Sequence, residues 1–134
     1  MIVVDSSAIV AIALDEPESE PFSRIISINR CLLAAPTALE SHLVLSGRAP
    51  ASAAKFMDVF LAREAVNLVP FDGDLLEIAR HAFDRFGRGR HAAALNFGDC
   101  FAYALAKAHN APLLYKGGDF ALTDIRAAIP QGPT

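Results

Sequence analysis

The sequence predicts an α/β fold in which a central, mostly parallel sheet is flanked by helices on both faces. Three observations predict it. Short apolar runs, MIVV, CLLAA, VNLVPF and APLLY, recur along the chain. Segments with apolar residues at helical spacing separate them. Such alternation is the pattern of parallel strands joined by crossover helices. The chain has 134 residues, of which 53% are hydrophobic and 20% charged. Residues 1–134 therefore suit one domain with its own core.

The elements follow in order. Met1–Val4 reads as a buried strand. Ser6 and Ser7 can cap a helix to about Leu14, where the acidic turn DEPESE ends it. A second helix, about Glu18–Asn29, carries Phe22, Ile25, Ile26 and Ile28. CLLAA is the next strand. Pro36-Thr37 opens a helix that carries Glu40, Leu43, Val44 and Leu45 and stops at Gly47. PASAAKFMDVFLAREA is a helix with Phe56, Val59 and Phe60 on one face, and VNLVPF is a strand. Asp72 or Asp74 caps the helix DLLEIARHAFDRFG, where Leu75, Ile78, Ala79 and Ala82 repeat at helical spacing. GRGRHAAALNFG is a loop rich in Arg and Gly. A helix starts at Gly98-Asp99, APLLY is a strand and KGGDFALTD is a loop. IRAAIP forms a last short strand before the tail QGPT.

Composition narrows the function. No apolar run reaches the roughly 18 to 20 residues that cross a bilayer, so no membrane partner is expected. The N-terminal run has no basic region before it and contains Asp5, which does not fit a secretory signal. A net charge of −3 excludes a generally basic nucleic-acid coat. Cys31 and Cys100 lie in apolar surroundings without metal-ligand spacing, as expected of buried reduced thiols in a cytoplasmic protein.

Four acids carry the chemistry. In a doubly wound sheet, ligands bind beyond the carboxyl ends of the strands. Asp5 ends the first strand, Glu40 follows CLLAA, Asp99 begins the helix leading to APLLY, and Asp119 follows that strand. All four can reach one rim. Such oxygen ligands suit Mg²⁺ or Mn²⁺, and a cluster of like charges is costly unless a cation neutralises it. Each acid also has a plainer use. Asp5 and Asp99 can cap helices, Glu40 can favour a helix dipole, and Asp119 can belong to a Gly-Gly turn.

The stretch RFGRGRH sets Arg85, Arg88, Arg90 and His91 before the Asp99 helix. It reads as a phosphate-contacting loop or as a solvated turn. Lys116 is a second phosphate contact. Phe97 and Tyr103 can stack bases, whereas Phe101 reads as core. The apolar early helices, with Ile12, Leu14, Phe22, Ile25 and Ile26, form either a docking surface or ordinary core.

IVVDSSAIVAI, ALES and the long block GRGRHAAALNFGDCFAYALAKAHNAPLLYKGGDFALTDI closely resemble the PIN-domain toxins of bacterial toxin–antitoxin systems, the VapC ribonucleases. The resemblance spans nearly the whole chain. It implies a PIN-like three-layer fold and a magnesium-dependent endoribonuclease, with Mn²⁺ able to substitute. It implies a cytoplasmic toxin held in check by a cognate VapB-type antitoxin, in a homodimer or a higher toxin–antitoxin assembly. Matched residue by residue, Asp5 and Asp99 fall on the two metal-binding aspartates and Glu40 on the third acid. Asp119, in GGDF, falls on the fourth, with Asp124 in LTDI as the spare. Ser7 matches a small hydroxyl residue beside the first aspartate. Ser7, Arg88, Arg90, His91 and Lys116 are then the substrate contacts.

Attack by a metal-activated water would leave a 5′-phosphate and a 3′-hydroxyl. Attack by a 2′-hydroxyl needs a general base, and His42, His81, His91 and His109 offer no His–His–Lys set. Two alternatives stand beside the nuclease. One is a phosphoreceiver-like signalling module using Asp5, Asp72 and Lys116. The other is a PIN domain that binds without turnover.

Overall fold

The computed structural model describes residues 1–129. Among them, four parallel strands form one sheet: β1 (Ile2–Val4), β2 (Cys31–Ala34), β3 (Val66–Val69) and β4 (Leu113–Leu114), in the order β3-β2-β1-β4. Ile2 pairs with Cys31, and Val3 pairs with both Leu32 and Leu113. Successive side chains alternate between two cores. Ile2, Val4, Cys31, Leu33, Val66 and Leu114 face one side, while Val3, Leu32, Ala34 and Leu113 face the other. Burial on both faces is why β1 and β2 read as unbroken apolar runs.

Helices α1 (Ser6–Ala13), α2 (Ser19–Ser27), α3 (Ala35–Arg48) and α4 (Ala53–Leu61) cover the first side with Ile9, Phe22, Ile26, Leu45, Met57 and Phe60. Helices α5 (Gly73–Phe86) and α6 (Phe97–His109) cover the second with Leu75, Ala82, Phe86 and Leu105. The result is the expected three-layer α/β arrangement. From β1 the sheet extends to β2 and β3 on one side and to β4 on the other. The gap beyond the carboxyl ends of β1 and β4 is the topological switch point, where open α/β sheets place their ligands.

Several boundaries differ from expectation. Helix α3 runs through Gly47 to Arg48 and stops at Ala49, because the following Pro50 disfavours helical backbone there. Helix α4 begins three residues inside the predicted segment and ends at Leu61. Helix α6 begins at Phe97, capped by Asn96, and not at Asp99. IRAAIP forms no strand among the described residues: Ala127 makes one parallel bridge to Leu113. Pro130 and the tail QGPT lie outside the described residues. KGGDFALTD contains a 3-10 turn at Phe120–Leu122. The Arg–Gly loop is closed at its neck by a bridge between Gly87 and Leu95, with Ala93 and Leu95 buried beneath it.

The early helices are largely core. Phe22 and Ile26 are buried, and Ile12, Leu14 and Ile25 pack partly against the same cluster. The exposed apolar side chains instead include Leu39 and Leu43 on α3, Leu76 on α5 and Phe97 on α6. Among the described residues no helix is long and apolar enough to cross a membrane.

Candidate active site

Asp5 sits where β1 gives way to α1, and its backbone is extended, as an N-cap requires. Its Oδ2 accepts the Ser7 backbone N–H at 3.0 Å and the Ser7 hydroxyl at 2.7 Å. The same hydroxyl oxygen accepts the Lys116 backbone N–H at 2.9 Å. Ser7 therefore ties the end of β4 to the carboxylate that ends β1. The residue is only 3% exposed, and its other oxygen, Oδ1, is buried without a partner. Burial pushes the Asp5 pKa up to about 7; the Ser7 hydrogen bonds oppose the shift, and the charges of Asp99 and Glu40 add to it.

Asp99 lies in the first turn of α6. Its N–H donates to Asn96 Oδ1 at 2.9 Å, and its own Oδ2 accepts the Asn96 N–H at 3.0 Å. This reciprocal pair is a capping box. It holds the carboxylate by one oxygen at the start of the helix. Burial raises the Asp99 pKa to about 6, the Asn96 N–H opposes this, and the charges of Asp119 and Glu40 raise it further.

Glu40 projects from the second turn of α3. Its Oε1 is buried without a partner, and its carboxylate lies against Gly98 of α6. Asp119 is exposed in the loop after β4 and makes no capping bond of its own. Asp124, the spare acid, is engaged elsewhere. It accepts the Tyr103 hydroxyl at 2.6 Å and the Lys107 ammonium at 2.7 Å, and Arg85 lies 3.5 Å away. Partial burial raises its pKa, but the bonds from Lys107 and Tyr103 outweigh burial, and the net shift is downward. The structure thus groups Asp5, Glu40, Asp99 and Asp119 electrostatically at one rim and leaves Asp124 outside.

The donor set fits a hard divalent cation. It consists of carboxylates, two of whose oxygens are buried without hydrogen bonds. Burial, with a smaller contribution from their mutual repulsion, raises the pKa of two members. Among the described residues no three His, Cys, Asp or Glu side chains are arranged to hold an ion by themselves. A magnesium-type ion takes one or two carboxylates and keeps several waters, so it suits such a set.

The basic residues divide. Arg88, Arg90 and His91 are exposed on the closed loop that runs into Asn96. Arg90 lies over the Phe83 ring, and His91 Nδ1 accepts the Ala93 N–H. The Lys116 ammonium, expected to meet phosphate, is held 3.3 Å from both Glu16 and Glu18. Its backbone N–H donates to the Ser7 hydroxyl beside Asp5. Phe97 is 80% exposed, whereas Tyr103 is buried and bound to Asp124.

Residues 2–125 match the PIN domain family. The chain belongs to the PIN-domain family. Among PIN proteins it is similar to ribonuclease VapC30 of Mycobacterium tuberculosis, with 42% identity over 130 residues, 96% of this chain and 99% of the relative. Ribonuclease VapC of Mycolicibacterium smegmatis is 42% identical over 126 residues, 93% of this chain and 98% of that one. The fold is that of the crystal structure of Mycobacterium tuberculosis VapC20, described as a sarcin–ricin loop cleaving toxin. The TM-score is 0.80 at 17% identity, covering 97% of this chain and 100% of the other. VapBC2 of Rickettsia felis, solved bound to a DNA fragment from its promoter, aligns with TM-score 0.69 at 16% identity over 95% of this chain and 97% of that chain.

Sequence reasoning missed two residues that the structure sets against these acids, Asn96 at Asp99 and Gly98 at Glu40. Asn96 was readable, because Asn followed three residues later by an acid is a capping signal. Gly98 was not, because its neighbour Glu40 lies far away in sequence.

Proposed function

We propose that this PIN domain is the ribonuclease toxin of a toxin–antitoxin pair, an endoribonuclease that needs Mg²⁺ or Mn²⁺. One observation carries the reading. Two buried carboxylate oxygens, Asp5 Oδ1 and Glu40 Oε1, lack partners at the switch point of the sheet. Names of its VapC relatives support the ribonuclease activity. Asp72, which a phosphoreceiver would need free, caps α5 through the Leu75 N–H at 3.0 Å.

Asp5 and Asp99 are the residues that would hold the cation, each fixed by a hydrogen bond to one oxygen. A bound divalent cation supplies charge stabilisation at the phosphodiester and lowers the pKa of a coordinated water. Glu40 and Asp119 border the same space and orient the attacking water. Arg88 and Arg90 meet the RNA backbone from the loop that enters α6. Phe97 offers an exposed ring for an unstacked base. Attack at phosphorus breaks the bond to the 3′-oxygen and leaves a 5′-phosphate and a 3′-hydroxyl.

The same acids explain control. A cationic side chain of a VapB-type antitoxin can pair with them and exclude RNA. The reading places the toxin in the cytoplasm with its RNA substrate. Incubating the purified chain with cellular RNA and sequencing the new ends tests it. Cleavage with Mg²⁺, loss with EDTA and 5′-phosphate ends are expected. Cyclic phosphates, or cleavage indifferent to chelator, would refute the mechanism.

A further inference from the structure

We propose that Gly98 is a positioning residue: the missing side chain leaves the space in which the Glu40 carboxylate rests against the start of α6, next to Asp99. The inference rests on the reading of Glu40 as a site acid.

Gly98 is buried in the first turn of α6. A Cβ built there would overlap Glu40, and the three nearest atoms are its Oε2, Cδ and Oε1. Crowding of this kind is selective. At Gly47, Gly73 and Gly118 an added Cβ meets nothing within 4 Å; at Gly87 it meets the backbone and ring of Phe83; among the described glycines Gly98 is the one whose Cβ would meet a carboxylate. Backbone conformation does not require glycine either. The left-handed glycines are Gly89 and Gly117, while Gly98 is helical. Glycine is a poor helix former compared with alanine. The helix therefore has no use for glycine at this position, whereas the Glu40 carboxylate does.

The crowded atoms are the tip of a flexible side chain. A methyl group at position 98 can be accommodated by rotating Glu40 away, without moving backbone. Glu40 would then leave the orphaned position of its Oε1 and its place beside Asp99. The inference thus separates two effects that usually travel together: Gly98→Ala should disturb the site and spare the fold.

Four variants decide the matter: Gly98→Ala, Glu40→Gln, the two combined, and Gly98→Ala with Glu40→Asp. Each is examined by metal-free thermal melting, calorimetric Mn²⁺ binding and RNA cleavage. Gly98→Ala is expected to melt at or above the parent protein. Its Mn²⁺ affinity and cleavage should fall roughly 10- to 100-fold, the usual effect of losing a supporting partner at a metal site. In the Glu40→Gln background Gly98→Ala should add no further loss. Glu40→Asp should recover part of the loss in Gly98→Ala, because the shorter acid clears the methyl.

Normal cleavage and Mn²⁺ binding in Gly98→Ala, beside an impaired Glu40→Gln, would overturn the inference alone. Additive losses in the combined variant, or a strongly lowered melting temperature of Gly98→Ala, would also overturn it. A fully active Glu40→Gln would remove Glu40 from the site and take the inference with it.

Discussion

Asp5 serves two purposes that the sequence presents as rivals. One oxygen caps α1, and the other is buried without a partner. Burial makes the ionised Asp5 carboxyl costly. Its pKa is about 7 in the folded chain against 3.8 ordinarily, so the folded state binds the proton more tightly. That stabilisation is fully present below about pH 4 and is lost as pH rises through about 7. The metal-free protein should melt at progressively lower temperature from pH 4 to pH 7. Asp5→Asn should flatten this slope, raise stability at pH 8 by up to a few kcal/mol, and abolish cleavage. Melting curves across pH check this, and an unchanged slope in the variant would count against it. Asp119 and Asp124 should also part ways. Asp119→Asn should slow cleavage with little change in stability. Asp124→Asn should spare cleavage but cost about 1–2 kcal/mol in urea denaturation, because Lys107 and Tyr103 lose a charged acceptor.

At the scale of elements, α6 carries the site. Its N-cap Asn96 supplies the acceptor for the Asp99 N–H. Asn96→Ala should destabilise the chain by about 1 kcal/mol and reduce cleavage less than Asp99→Asn, because the backbone N–H of residue 96 still reaches Asp99. Asn96→Ser should restore stability. Urea denaturation beside a cleavage assay tests both, and a cleavage loss equal to that of Asp99→Asn would refute the ordering. The strands were legible because burial on both faces leaves unbroken apolar runs, as in IVV and CLLA. The start of α6 was displaced because Gly98-Asp99 imitates a cap, while the pair that caps is Asn96 and Asp99. The early helices looked more apolar than a small domain needs, which left docking surface and ordinary core both open. They share one face of the sheet with α3 and α4, and packing four helices there consumes Phe22 and Ile26. Lys116 looked free because Glu16 and Glu18 meet it only through the fold. The contact of Glu40 with Gly98 left no local pattern to read.

For the whole molecule, the rim of acids makes stability and binding one problem. Deprotonating clustered, buried carboxylates is unfavourable, so any cation that binds them also stabilises the fold. Mg²⁺ should raise the melting temperature more at pH 8 than at pH 5, because protons compete for the same oxygens. A ligand at one hundred times its dissociation constant contributes about 2.7 kcal/mol. An antitoxin that inserts a basic side chain draws on the same source of stabilisation. Arginine fits best, since its planar fork pairs with carboxylates and its charge does not titrate. Metal and partner then compete, and their stabilising effects should not add. The measurement is the Mg²⁺-induced shift in melting temperature, taken for the free chain and for the complex copurified from its native host. The free chain should show the shift and the complex should lose it, together with RNA cleavage. An undiminished Mg²⁺ shift in a complex that no longer cleaves would place the partner across the RNA path, through Arg88, Arg90 or Phe97, and away from the acids.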